Sequence, residues 1–191
     1  MADASELARR QGLADSLAKI RHQTASKLPN QRAPAQLLVA VESTLQESSG
    51  SKTFSPTAYL MALIAMLDKA SSQSGSDSSA SLLSSTLYLL ALVTPYVSPA
   101  VLHAQVNALI EPLSVVLSNT QHTISNDVAE SQAALLRSAL GIFEPLLLAL
   151  ASDRAMLSSN LPIRGCWNAT LRLCLDARPK VRRRADRKSV V

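Results

Sequence analysis

Aromatic side chains are almost missing from this chain: one Trp, three Tyr and two Phe make up 3% of its 191 residues. A β-sandwich would need aromatic and β-branched residues on its inner faces, so the shortage argues against one. Glycine is also scarce. The five glycines, at positions 12, 50, 75, 141 and 165, are each isolated, which excludes a glycine-rich phosphate loop and a Gly-x-Ser-x-Gly elbow. Two cysteines, Cys166 and Cys174, are too few for a disulfide framework. On one helix they would lie roughly 12 Å apart, beyond the reach of a disulfide. Reduced thiols and a reducing compartment, cytosol or nucleus, are expected.

Catalytic and metal-binding patterns are equally thin. His22, His103 and His122 are scattered, and none has a second ligand at metal spacing. Glu144 and Asp153 are lone carboxylates. The abundant serines have no paired base. No enzyme, metal, cofactor or small-molecule substrate is therefore expected. The longest apolar runs, residues 87–93 and 146–151, fall far short of the roughly 20 residues that span a bilayer, so no membrane partner is expected. Asp3, Glu6 and Asp15 interrupt the first 20 residues, which argues against a secretory signal or a transit peptide.

What remains is rich in Leu, Ala and Ser, a composition that favours helix. Residues 1–12 are polar and read as a flexible tail. Leu13, Leu17, Ile20 and Leu28 then mark a helical face ending near Pro29. Pro34 opens a second run with Leu37, Leu38, Val41 and Leu45, and the Ser-Ser-Gly-Ser stretch at 48–51 closes it. Ser55-Pro56 is an N-cap followed by a first-turn proline, and Tyr59, Leu60, Leu63, Ile64 and Leu67 form the stripe behind it. Seven serines between 71 and 81 predict a solvated loop. A helix over 81–93, apolar on most sides, needs neighbours on several sides. Ser98-Pro99 starts the next helix, with an expected kink at Pro112. After a polar stretch at 119–126, the longest helix runs to about Ala151 through Pro145. A helix with Trp167, Leu171, Leu173 and Leu175 follows, with Trp167 as a core anchor. Arg178-Pro179 opens the last one.

This makes about eight helices, in pairs recurring roughly every 40–50 residues. That period fits HEAT or armadillo arrays, in which each repeat buries its apolar face against the next. The predicted fold is all-α, an α-α superhelix over residues 13–186, followed by a basic end at 187–191. A closed helical bundle is the alternative.

Charge is concentrated at that end. Residues 176–188 hold seven of the 19 basic residues and two of the 14 acids, a surplus of five that equals the net charge of the whole chain. Arg178, Lys180, Arg182, Arg183, Arg184, Arg187 and Lys188 are the candidate binding residues. On a helix, Lys180, Arg183, Arg184 and Arg187 share a face suited to phosphates. The run has no aromatic residue, so base stacking is not expected. Three readings stay open for it: RNA contact, a nuclear localisation signal, or a structural ladder with Asp176 and Arg182 as ladder residues over Val181 and Ala185. A smaller group, Arg21, His22, Lys27, Asn30, Gln31 and Arg32, reads as a solvated helix end or a partner site.

Three blocks go beyond fold class. They are LAKIRHQTASKLPNQRAPAQLLVAVE at 17–42, SPTAY at 55–59, and LRSALGIFE at 136–144 joined to LDARPKVRRRA at 175–185. Together they resemble the amino-terminal region of the ribosomal-RNA-processing protein twelve family, long HEAT-repeat factors of ribosome biogenesis. The resemblance covers residues 13–185 and implies an amino-terminal segment of a longer array. It implies a non-catalytic scaffold that supports rRNA processing and nuclear export of pre-ribosomal subunits. The implied partners are pre-ribosomal particles, rRNA and the nuclear transport machinery. The implied location is the nucleus and nucleolus, with shuttling to the cytoplasm. The contrasting expectation is a karyopherin or armadillo-type transport adaptor that binds protein without touching RNA.

Overall fold

The computed structural model of the chain describes residues 4–50, 53–72, 77–118 and 126–188. Among them are ten α-helices, one 3-10 turn at Thr94–Tyr96 and no strand. The chain divides into two compact units, Met1–Ser98 and Pro99–Val191, each with its own core.

The first unit holds α1 (Ala4–Arg21), α2 (Pro29–Ser49), α3 (Pro56–Ser72) and α4 (Asp77–Val93). Helix α1 packs on α2 and α3 on α4, and α2 also packs on α4, so successive pairs stack through their second helices. Leu17, Leu60, Leu67, Leu87, Leu89 and Leu90 are fully buried between them. Each such side chain contributes about 1.5–3 kcal/mol on leaving water.

The second unit holds α5 (Pro99–Ala104), α6 (Val106–Ser118), α7 (Asn126–Leu150), α8 (Arg154–Ser159), α9 (Leu161–Leu173) and α10 (Pro179–Lys188). Helices α5 and α6 pack on α7, and α9 packs on α10. Like helices of the two pairs also meet, α6 against α9 and α7 against α10. This two-layer stacking of helix pairs is the packing of HEAT-type repeats. Phe143, Leu136, Leu140, Leu113 and Val181 are buried at its centre.

Several boundaries fall where the sequence places them. The Ser55 hydroxyl accepts from the Ala58 N–H at 3.1 Å, capping α3. Gly50 ends α2 with φ +64°, and its N–H donates to the Gln46 carbonyl at 2.8 Å. A side chain is strained at that φ, whereas a Cβ on Gly165, inside α9, would point into open space. Gly50→Ala should therefore lower stability by about 1 kcal/mol, and Gly165→Ala should raise it by about 0.5–1 kcal/mol. Urea denaturation of the two variants measures the opposite signs.

Other boundaries differ. Residues 4–12, expected as a tail, are the first half of α1, where Glu6 pairs with Arg10 at 3.0 Å one turn on. This helix ends at Arg21, short of Pro29. Pro29, not Pro34, occupies the first turn of α2, leaving Pro34 inside that helix. Helix α4 begins at Asp77, within the serine run, because serine tolerates a helix when the residues beyond it are anchored. Residues 73–76 and 119–125 lie outside the described residues. The 99–118 segment breaks at Gln105, whose N–H is shared between the Val101 and Leu102 carbonyls, while α6 runs through Pro112. Helix α8 occupies an expected loop, capped by Asp153, whose carboxylate accepts from the Met156 N–H at 2.9 Å. That bond, with His103 Nε2 at 3.1 Å, holds the Asp153 carboxyl below the usual carboxylate range.

Two stretches, Ser78–Tyr96 and Glu130–Leu150, are long and apolar enough to cross a membrane by length and composition, although their unbroken apolar runs are short. In each, 44% of the stretch is buried against the protein's own helices. Helix α4 packs against α1, α2 and α3, and α7 against α5, α6, α8 and α10. A helix packed on several sides must be apolar on several sides.

The two cysteines are not joined in a disulfide. Cys166 is buried on the core face of α9, and burial pushes its thiol up to about 12. Cys174 is half-buried just past the helix end. A native-state thiol titration should therefore label Cys174 first, with Cys166 reacting only once the chain unfolds.

Candidate nucleic-acid interface

Helix α10 starts where the sequence predicts. Pro179 takes a first-turn position, and the preceding turn is held by Asp176, whose Oδ1 accepts from the Arg178 N–H at 2.8 Å. Val181 and Ala185 are buried against α7 and α9, as the ladder reading requires. With those two positions inward, the helical period turns Lys180, Arg182 and Arg183 outward, and all three are exposed. Arg184 is half-buried at the margin of the packed face and has interactions of its own. Arg187 and Lys188 belong to the last turn of α10, and their side chains lie outside the described residues.

Arg178 stands apart from the cluster. Its Nε donates to Asp176 Oδ1 at 2.8 Å and its Nη2 to Asp176 Oδ2 at 2.7 Å, a bidentate pair. Its Nη1 donates to Gln132 Oε1 on α7 at 3.0 Å. The Asp176 side chain is only 6% exposed. Hydrogen bonding to that carboxylate raises the Arg178 pKa above its ordinary value, so the guanidinium stays charged and committed. Arg178 thus ties the α9–α10 turn to α7. The ladder partner of the Asp176 carboxylate here is Arg178, while Arg182 Nη1 reaches only the Asp176 backbone carbonyl, at 3.4 Å.

The smaller basic group near residue 30 is also divided by the fold. Arg21 forms a 2.6 Å ion pair with Glu42. Glu42 Oε1 also accepts from the Tyr59 hydroxyl at 2.7 Å. Burial, then the bond to Glu42, raises the Tyr59 pKa well above the usual phenol range. This network links α1, α2 and α3, so Arg21 is a structural residue of the first unit.

Of the apolar positions expected on α9, Leu173 is buried, whereas Trp167, Leu171 and Leu175 are not. The buried face of α9 is Ile163, Cys166, Ala169, Thr170 and Leu173. Trp167 is half-buried instead of a core anchor, and Leu171 is 44% exposed. Small and polar residues on the inner face disguised the true stripe, and large apolar ones on the outer face imitated it. Among the described residues, no group of three or more His, Cys, Asp or Glu could hold a metal ion.

Paired helices stacked in two layers, with an exposed basic face on the last of them, define an α-helical repeat protein of the HEAT class. The chain matches the family described as RRP12-like, N-terminal HEAT repeats, over residues 5–190, and it belongs to that family. It is 36% identical over 178 residues to the ribosomal RNA-processing protein 12 of Saccharomyces cerevisiae. The match covers 91% of this chain but 14% of the yeast protein, so the chain spans a small part of that relative's length. No solved structure matches it.

Proposed function

We propose that this chain is the RNA-contacting amino-terminal part of a non-catalytic scaffold in ribosome biogenesis. The scaffold supports rRNA processing and the nuclear export of pre-ribosomal subunits. The observation that carries the reading is family membership along nearly the whole chain, together with a yeast relative named for ribosomal RNA processing. The outward face of α10 supplies the chemistry. Lys180, Arg182 and Arg183 are exposed to solvent, with Arg183 central and the other two on its flanks, and Arg184, Arg187 and Lys188 join them in sequence. Cations spaced along one helix follow a phosphate backbone, and their affinity falls steeply as salt rises. Arg178 serves the fold instead. Pre-ribosomal particles, rRNA and the nuclear transport machinery are the partners of this reading, and the nucleus and nucleolus its location, with shuttling to the cytoplasm. The test is a filter-binding salt titration with single-stranded RNA on the wild-type chain and on the triple variant Lys180→Glu, Arg182→Glu, Arg183→Glu. Absence of binding at low salt, or binding unchanged in the variant, would overturn the RNA contact.

A further inference from the structure

Helix α9 carries a second surface that the basic helix does not account for. Its outward side shows Leu161 at 72% and Leu171 at 44% exposure, and Leu175, in the turn after it, at 87%. These are costly positions for leucine in water, and Leu161 and Leu171 share the outward side of α9. Beside them a cleft opens between α7, α8 and α9, with a volume of about 450 Å³. Its walls are apolar: Leu147 from α7 and Ala151 just past its end, Leu157 from α8, Ile163 and Trp167 from α9. That is the size range and the lining of a pocket that takes an apolar group. Leu148, on the same turn of α7 as Leu147, is 56% exposed.

The charged residue that lines the cleft is Arg164. Arg164 and Asn168 line its edge, and Asn168 also lines a smaller cleft on the other flank of α9, which ends at Arg172. Arg164, Asn168 and Arg172 stand four residues apart and are all exposed, so they form one ridge along the helix. From residue 154 to 173 the chain holds Arg154, Arg164 and Arg172 and no Asp or Glu. Among the described residues no ion pair engages these three arginines. The flanking acids are occupied: Asp153 by His103 and the α8 N-terminus, Asp176 by Arg178.

An apolar cleft with a tryptophan wall and Arg164 at its edge, with Arg172 two turns further along the same ridge, complements one kind of ligand. We propose that the α7–α8–α9 cleft docks a short acidic peptide segment of a partner protein, with a Leu or Phe anchor in the cleft and Asp or Glu side chains on Arg164 and Arg172. The apolar walls of the cleft favour a protein over a nucleic acid here, because phosphates and sugars would leave them unfilled. Trp167 is the single tryptophan of the chain, so it reports directly on this site.

The experiment titrates the 191-residue chain with a synthetic peptide carrying one Phe between two Asp/Glu triplets, followed by Trp167 fluorescence. A saturable blue shift is expected, with affinity dropping at least fivefold between 50 and 300 mM salt. Arg164→Glu with Arg172→Glu should weaken it at least tenfold, Arg164→Lys by less than threefold, and a peptide with Ser in place of Phe should lose the shift. Circular dichroism melts of the variants show that the fold is intact. No shift at low salt, equal binding by the arginine variants, or a single-stranded RNA that moves Trp167 at lower concentration than the peptide would each overturn the proposal.

Discussion

Glutamate at positions 180, 182 and 183 should reduce affinity for single-stranded RNA about 10- to 100-fold near physiological salt, and should flatten its salt dependence by about two in the log–log slope. On a single strand each phosphate neutralised by a Lys or Arg contributes about 0.7 to that slope, so losing three such contacts removes most of the electrostatic attraction of a short helix. Lys180, Arg182 and Arg183 face solvent, whereas the Arg178 guanidinium is spent on Asp176 and Gln132. Thermal stability should therefore barely change in the triple variant. An affinity loss accompanied by a lowered melting point would mean that the helix had been disturbed instead of its charge. A localisation signal would respond differently: in cells the variant would leave the nucleus, while RNA affinity in vitro stayed as it was.

Asp176→Ala should have the opposite profile, a large loss of stability. The carboxylate accepts from the Arg178 backbone N–H, Nε and Nη2, all between 2.7 and 2.8 Å. Removing it abolishes the turn that launches α10 and leaves a guanidinium without its counter-charge. Breaking a buried pair costs about 3–5 kcal/mol. The Arg178 side chain is 24% exposed and regains some water, so about 2–3 kcal/mol is expected here. Asp176→Asn keeps the turn but loses the charge, and should fall between wild type and alanine. Chemical denaturation ranks the three. A loss below about 0.5 kcal/mol for alanine would show that α10 is held by Val181 and Ala185 alone.

These two outcomes separate roles that the sequence presents as one run of seven basic residues. From the string Asp-Ala-Arg-Pro-Lys-Val-Arg, a start of helix at Pro179 and inward positions at Val181 and Ala185 could both be read, and both hold. The choice of Arg178 as the partner of Asp176 could not. It depends on Gln132, 46 residues away, being brought to 3.0 Å by the packing of α7 on α10. Arg21 is a parallel case, drawn out of its local basic group by Glu42 and Tyr59 on the next two helices.

Local signals carried the helical class, the caps at Ser55 and Gly50, and the stripe of α3. Each rests on interactions within a turn or two, such as a hydroxyl on an N–H three residues on, or a period of 3.6. Other features needed the packed molecule. They are the break at Gln105, the helix within the 154–159 loop, the inward turn of Cys166 in place of Trp167, and the division of the arginines into structural and free. Which face of a helix is covered, and which charge finds a counter-charge, depends on the neighbour that folding brings alongside, and the spacing of residues along one chain does not encode it.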